Sequence, residues 1–203
     1  MLDKVSLTIY VHNFVPQEGH SRAMIETLKN LPSNNIEHLF IVCYKSCDIH
    51  TELPDFSNKH TVLKVPNIIK YPFLFNALFF YIYTWFLTKV KIPHNSKKIG
   101  IGISSLSADY VNIQFIHKEL EHFYFKTTNF TFVSYLYKRA LFFMYFICER
   151  YLYMYKDTTQ FSVLSSFEKE YLEEEFQVPE SKIVLNYSGI CTDNFHFDEN
   201  ETF

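Results

Sequence analysis

Apolar and polar positions along this chain switch repeatedly between strand-like runs and helical spacing. Residues 5–11, 38–43, 61–65, 99–103, 110–116, 161–164 and 182–185 are short and rich in apolar side chains, and they read as strands. Between them, Met24, Leu28 and Leu31 follow helical spacing within 21–31, and aromatic-rich helical stretches cover about 72–90 and 132–155. Ser165 and Glu168 have capping-box spacing, so a helix opens there and ends near Phe176, ahead of Pro179. A turn at 186–189 follows the last strand, with Gly189 able to take a positive φ. This alternation predicts an α/β chain: a Rossmann-like open, mostly parallel sheet with helices on both faces. No internal repeat or low-complexity segment interrupts it.

Composition narrows the setting. At 203 residues the chain is long enough for one well-buried domain or one half of a two-domain enzyme. With 48% apolar and 20% charged residues it belongs with globular proteins, and a net charge of -3 gives no global pull toward nucleic acid. The excess of aromatics, 22 Phe and 15 Tyr against four Gly, fits either a bias in base composition or a membrane-facing surface. Cys43, Cys47, Cys148 and Cys191 are too scattered for a zinc pair pattern and read as reduced, mostly buried thiols. The opening MLDKVSLTIYVHNF carries an acid and lacks a long apolar core, so it is expected to be the first strand of a cytoplasmic chain, with the sequons at Asn129, Asn186 and Asn200 coincidental. Residues 71–88 carry no charge, near the lower length limit for a membrane span. Lying between strands of one sheet, they are expected to form a buried core helix or an interfacial face. Lys89, Lys91, Lys97 and Lys98 follow, and cations beside an aromatic surface suit anionic headgroups.

Three segments carry a family likeness. The first is the tail order S-x-x-x-x-x-x-L from Ser165, V-P-E-S-K-I-V from Val178, and N-x-x-G-I-x-x-x-x-F from Asn186. The second is the loop N-F-V-P-Q-E-G-H-S-R from Asn13 to Arg22, and the third is D-Y-V-N-I-Q-F-I-H-K-E from Asp109 to Glu119. Together they resemble the N-terminal, acceptor-side domain of GT-B glycosyltransferases of family 4. The resemblance implies such a domain over 1–195, the start of an interdomain linker or tail at 196–203, and a C-terminal donor domain absent from this sequence. It places Gly19, His20 and Arg22 at the donor phosphate, where a loop opening onto a helix N-terminus favours an anion. Arg22 is one of three Arg in the chain, and its plain alternative is an ion pair with Glu26 at i+4. The loop departs from the family's paired glycines by having Glu18 before Gly19. His117 is the implied catalytic residue, contacting the transferred sugar or acceptor. Its expected position is the carboxyl end of a strand, where open α/β sheets bind ligands. Glu119 is an acceptor candidate or a helix-start carboxylate, and Asn186 and Gly189 shape the cleft wall or hinge or form a structural turn.

No Asp is followed two residues later by another Asp, so the metal-binding pair of the GT-A architecture is missing. No P-loop, serine-hydrolase elbow, zinc-protease helix or dinucleotide motif is present either. The resemblance thus implies a retaining transfer from a nucleotide-sugar donor to a glycan or lipid-linked acceptor, with no metal and no cofactor. The implied partners are a donor-binding domain or partner chain and peripheral contact at the inner face of a membrane, with no nucleic acid. Two other classes fit the same residues: a non-catalytic acceptor-recruiting or membrane-docking subunit, and a small-ligand-binding Rossmann module.

Overall fold

The computed structural model describes residues 4–69, 72–156 and 159–187. Its elements in chain order are β1 (Val5–Tyr10), β2 (Asn13–Phe14), α1 (Gly19–Asn30), β3 (Ile36–Cys43), β4 (Lys45–Ser46), α2 (Ile49–Glu52), β5 (His60–Lys64), α3 (Phe73–Val90), β6 (Lys97–Ile101), β7 (Tyr110–Asn112), α4 (His117–Thr127), α5 (Phe132–Arg150), β8 (Gln160–Val163), α6 (Ser166–Phe176) and β9 (Ile183–Leu185). Seven strands form one sheet in the order β5-β3-β1-β6-β7-β8-β9, with every neighbouring pair parallel. The order runs outward in both directions from the β1–β6 pair. That pair is the topological switch point of a doubly wound sheet, and a crevice opens beyond its carboxyl ends.

The central strand β1 is buried at five of its six positions, because parallel strands with both faces covered carry near-continuous apolar runs. On one face, Met24, Ile25 and Leu28 of α1 and Ile49 of α2 pack with Leu7, Ile9, Leu39 and Ile41. On the other, Phe80 and Tyr81 of α3, Leu141 and Met144 of α5, and Leu172 and Phe176 of α6 pack with Tyr10, Val111, Phe161 and Val163. The helix α3 is long and apolar enough to cross a membrane, but the fold seats it against the sheet through Ala77, Phe80, Thr84 and Leu87.

The capping box forms with one change: Ser165 Oγ accepts from the Glu168 N–H at 3.2 Å, while Glu168 accepts from the Leu164 N–H at 2.8 Å. The helix stops at Gln177, whose φ of 54 takes the left-handed cap ahead of Pro179. Cys43 and Cys148 are buried free thiols and Cys47 is partly covered; burial pushes Cys43 up to about 12 and Cys148 up to about 11. Cys191, Gly189 and the segment 196–203 lie outside the described residues.

Two elements differ from the sequence pattern. The stretch 110–116 pairs as a strand only over Tyr110–Asn112, and His117 opens a helix five residues after Asn112 that periodicity did not show. The helical stretch 132–155 is α-helical to Arg150 and then widens into a π turn over Tyr151–Tyr155.

Candidate functional site

A cavity of about 180 Å³ opens at the carboxyl edge of the switch point, lined chiefly by Val11 and His12 after β1, by Ile101 at the end of β6 and Gly102 to Ser104 after it, and by His117 and Tyr145. Its walls are fixed locally. Ser104 Oγ donates to the Tyr10 carbonyl at 2.7 Å and accepts from the Ile101 N–H at 2.9 Å, tying the ends of β1 and β6 together. Gly102 has φ +54, a region in which side chains with a Cβ are strained, and its N–H donates to the Asn112 carbonyl at 2.8 Å. The strand expected over 99–103 therefore ends at Ile101, and the turn at Gly102 beside the site was passed over in the sequence.

Its most constrained member is His117. Glu149 of α5 is fully buried, and its Oε1 accepts from the His117 main-chain N–H at 2.6 Å while Oε2 accepts from the Lys118 N–H at 3.2 Å. The first turn of α4 is therefore capped by a side chain 32 residues away, where a negative group also suits the helix dipole. The same Oε1 lies 2.9 Å from His117 Nδ1. A carboxylate facing two N–H donors is an acceptor, which puts the ring proton on Nδ1 and leaves Nε2 for whatever enters the cavity. Tyr145 and Phe115 hold the ring at centroid separations of 4.4 and 4.8 Å.

His12 adds a second imidazole. It packs on Phe80 with centroids 4.4 Å apart, and its Nε2 is buried without a hydrogen-bond partner. Burial first, then the His20 and His117 rings, push its pKa down to about 4. Its ring is therefore neutral at pH 7. Because the unfolded chain binds this proton near 6.5 and the folded chain only near 4, stability should fall as pH drops through that window. The loss reaches on the order of 3 kcal/mol. Chemical denaturation of wild type and His12→Phe at pH 7 and pH 4.5 should show a steeper acid loss in wild type; equal losses would contradict a neutral buried His12.

Of the other residues singled out by the sequence, His20 lines the cavity and pairs with Glu18 at 3.2 Å. Glu18 also accepts from Asn13 Nδ2 at 2.8 Å and makes no side-chain cap to α1, so the first amides of that helix stay open. A Cβ at Gly19 would meet nothing within 4 Å, leaving room for a group to approach the backbone. Arg22 is exposed in the first turn of α1, and Glu26 pairs with Lys29 at 3.0 Å. Glu119 is exposed in the first turn of α4. Asn186 is exposed and follows the edge strand β9, three strands away from β6, about 14 Å at the usual strand spacing. The cavity thus gathers His20 and His117, with Gly19 next to His20 at the start of α1; Arg22, two positions after His20 and exposed, does not line it, and Asn186 lies apart.

No family model matches the chain, and no curated protein matches it. A solved structure does: the crystal structure of WaaG, a glycosyltransferase involved in lipopolysaccharide biosynthesis, superposes with a TM-score of 0.67 over 92% of this chain at 14% identity. The fold is that of a GT-B glycosyltransferase half. The chain spans 46% of that neighbour's length.

The sequence pattern passed over Glu149 and His12. For Glu149 a signal existed: it is the one acid in the run L-F-F-M-Y-F-I-C-E-R-Y-L from Leu141, in which Arg150 is the one other charge, and it lies on the helix face of Phe142 and Tyr145. Carboxylates are seldom buried there without partners.

Proposed function

We propose that this chain is the acceptor-side half of a retaining glycosyltransferase that moves a sugar from a nucleotide-sugar donor to a lipid-linked or glycan acceptor. The observation that carries the reading is His117, oriented by buried Glu149 at the mouth of the switch-point cavity. In this reading His117 Nε2 takes a hydrogen bond from a hydroxyl of the sugar or acceptor as the glycosidic bond to the donor breaks. The departing diphosphate is stabilised by the open amides at the start of α1, with Gly19, His20 and Arg22 all in that first turn. A donor-binding domain or partner chain closes the opposite wall and holds the nucleotide. The reaction requires no metal in this scheme. A lipid-linked acceptor is favoured by the exposed apolar side chains of the α4–α5 hairpin, Phe123, Phe132, Val133 and Leu136, which would meet a membrane at its cytoplasmic side.

The test uses the assembled enzyme, with donor domain, labelled nucleotide-sugar and membrane acceptor. His117→Ala should lower turnover by about 100-fold or more. It should cost stability no more than about 1.5 kcal/mol, because the main-chain bonds to Glu149 survive. A destabilised variant with normal turnover per folded molecule would overturn the assignment.

A further inference from the structure

A second cavity, of about 530 Å³, lies at the amino edge of the sheet, opposite the catalytic candidate. Lys98 and Asp109 stand at the starts of β6 and β7 and Lys156 just before β8; Lys89 reaches it from the end of α3. Three lysines against one aspartate leave a net charge of +2 among these described lining residues, before His94 is counted. Lys98 Nζ is 3.7 Å from Asp109, and Lys156 Nζ donates to the Ala108 carbonyl. Trp85 and Tyr151, both largely exposed, complete the rim.

Two apolar stripes converge there. On α3, Phe75, Leu78, Ile82 and Trp85 are exposed at helical spacing, and on α5 and the turn after it Leu136, Phe143, Ile147 and Tyr151 are. Each stripe ends on an aromatic residue of the cavity rim. Basic groups beside an aliphatic and aromatic strip match an amphiphile, with an anion in the cavity and hydrocarbon along the strip. From Phe73 at the first cavity to Lys89 at the second, α3 spans 16 residues, about 24 Å. A bilayer lying along this helix would therefore touch both ends of the domain.

We propose that this cavity is a binding site for the phosphate headgroup of an anionic lipid, fixing how the domain sits on the membrane. The site goes beyond the sugar-transfer reading; it rests only on membrane contact. Because the carbonyl end of α3 disfavours an anion, the lysines must supply the attraction. The test is flotation with vesicles of phosphatidylglycerol in phosphatidylcholine, against phosphatidylcholine alone and against soluble glycerol phosphate. The wild-type chain should bind the anionic vesicles and release as salt rises, with millimolar glycerol phosphate competing weakly. Lys89→Gln/Lys98→Gln should lower affinity at least about tenfold, whereas Lys29→Gln, on the opposite sheet face, should leave it unchanged.

Salt-sensitive binding that the double variant keeps would overturn the cavity while leaving membrane contact intact. Tight binding of glycerol phosphate without vesicle binding would identify a soluble phosphate ligand and overturn the lipid assignment. Loss of vesicle binding by Lys29→Gln to the same degree would reduce the effect to overall charge and overturn the site.

Discussion

Replacing Glu149 by leucine should cost this fold about 3–5 kcal/mol, the largest loss expected from any single polar substitution described above. Leucine fills a similar volume but accepts nothing. It would strand the His117 and Lys118 N–H groups, now held at 2.6 and 3.2 Å, and the His117 ring donor at 2.9 Å. Glu149→Gln should lose less, because its amide oxygen still accepts one of these bonds while its NH2 opposes another. Urea unfolding at pH 7 measures both. Hydrogen exchange adds a local readout, since the amides of His117 and Lys118 should lose protection before the sheet does. The two positions should also couple: adding His117→Ala to Glu149→Leu should cost less than the sum of the single losses. A leucine variant within about 0.5 kcal/mol of wild type would show that the carboxylate does not hold the start of α4.

The chain by itself should fold cooperatively and transfer no sugar. In the reading proposed above, this chain supplies one wall of the nucleotide site, at the start of α1. Holding reactants in register contributes about 7–11 kcal/mol to lowering a barrier. Removing the wall that grips the nucleotide forfeits most of that term, so the rate should fall by several orders of magnitude. Nucleotide-sugar affinity should be weak for the same reason, with one cation and a few amides to meet two phosphates. Calorimetry on the isolated chain should therefore detect little binding at concentrations that saturate the assembled enzyme.

Most strands were readable because their apolar runs sit between helices of different period, and β1, β3 and β5 follow those runs closely. The switch-point loop was harder. Gly100 and Gly102 look like strand breakers, yet Gly100 lies within β6 beside Val111, and only Gly102 takes a positive φ. Helix α4 was unreadable for a physical reason: it buries no residue completely, so it leaves no core stripe, and its cap comes from Glu149 rather than from a neighbouring Ser, Thr or Asp. Local rules see only local partners. His117 was found through its motif, while His12, Tyr145 and Glu149 join it only through the sheet order and the packing of α5. Burial of Nε2 in His12 likewise depends on Phe80, 68 positions away, and no spacing rule links the two.

The most direct measurement is sugar transfer by purified protein, made with the 203-residue chain alone and again after a donor-binding domain is supplied, using labelled nucleotide-sugars and a membrane acceptor fraction. Transfer should not rise above background with the chain alone, should appear on adding the donor domain, and should be lost again with His117→Ala. Robust turnover by the chain alone, or reconstituted turnover untouched by His117→Ala, would contradict the proposed function.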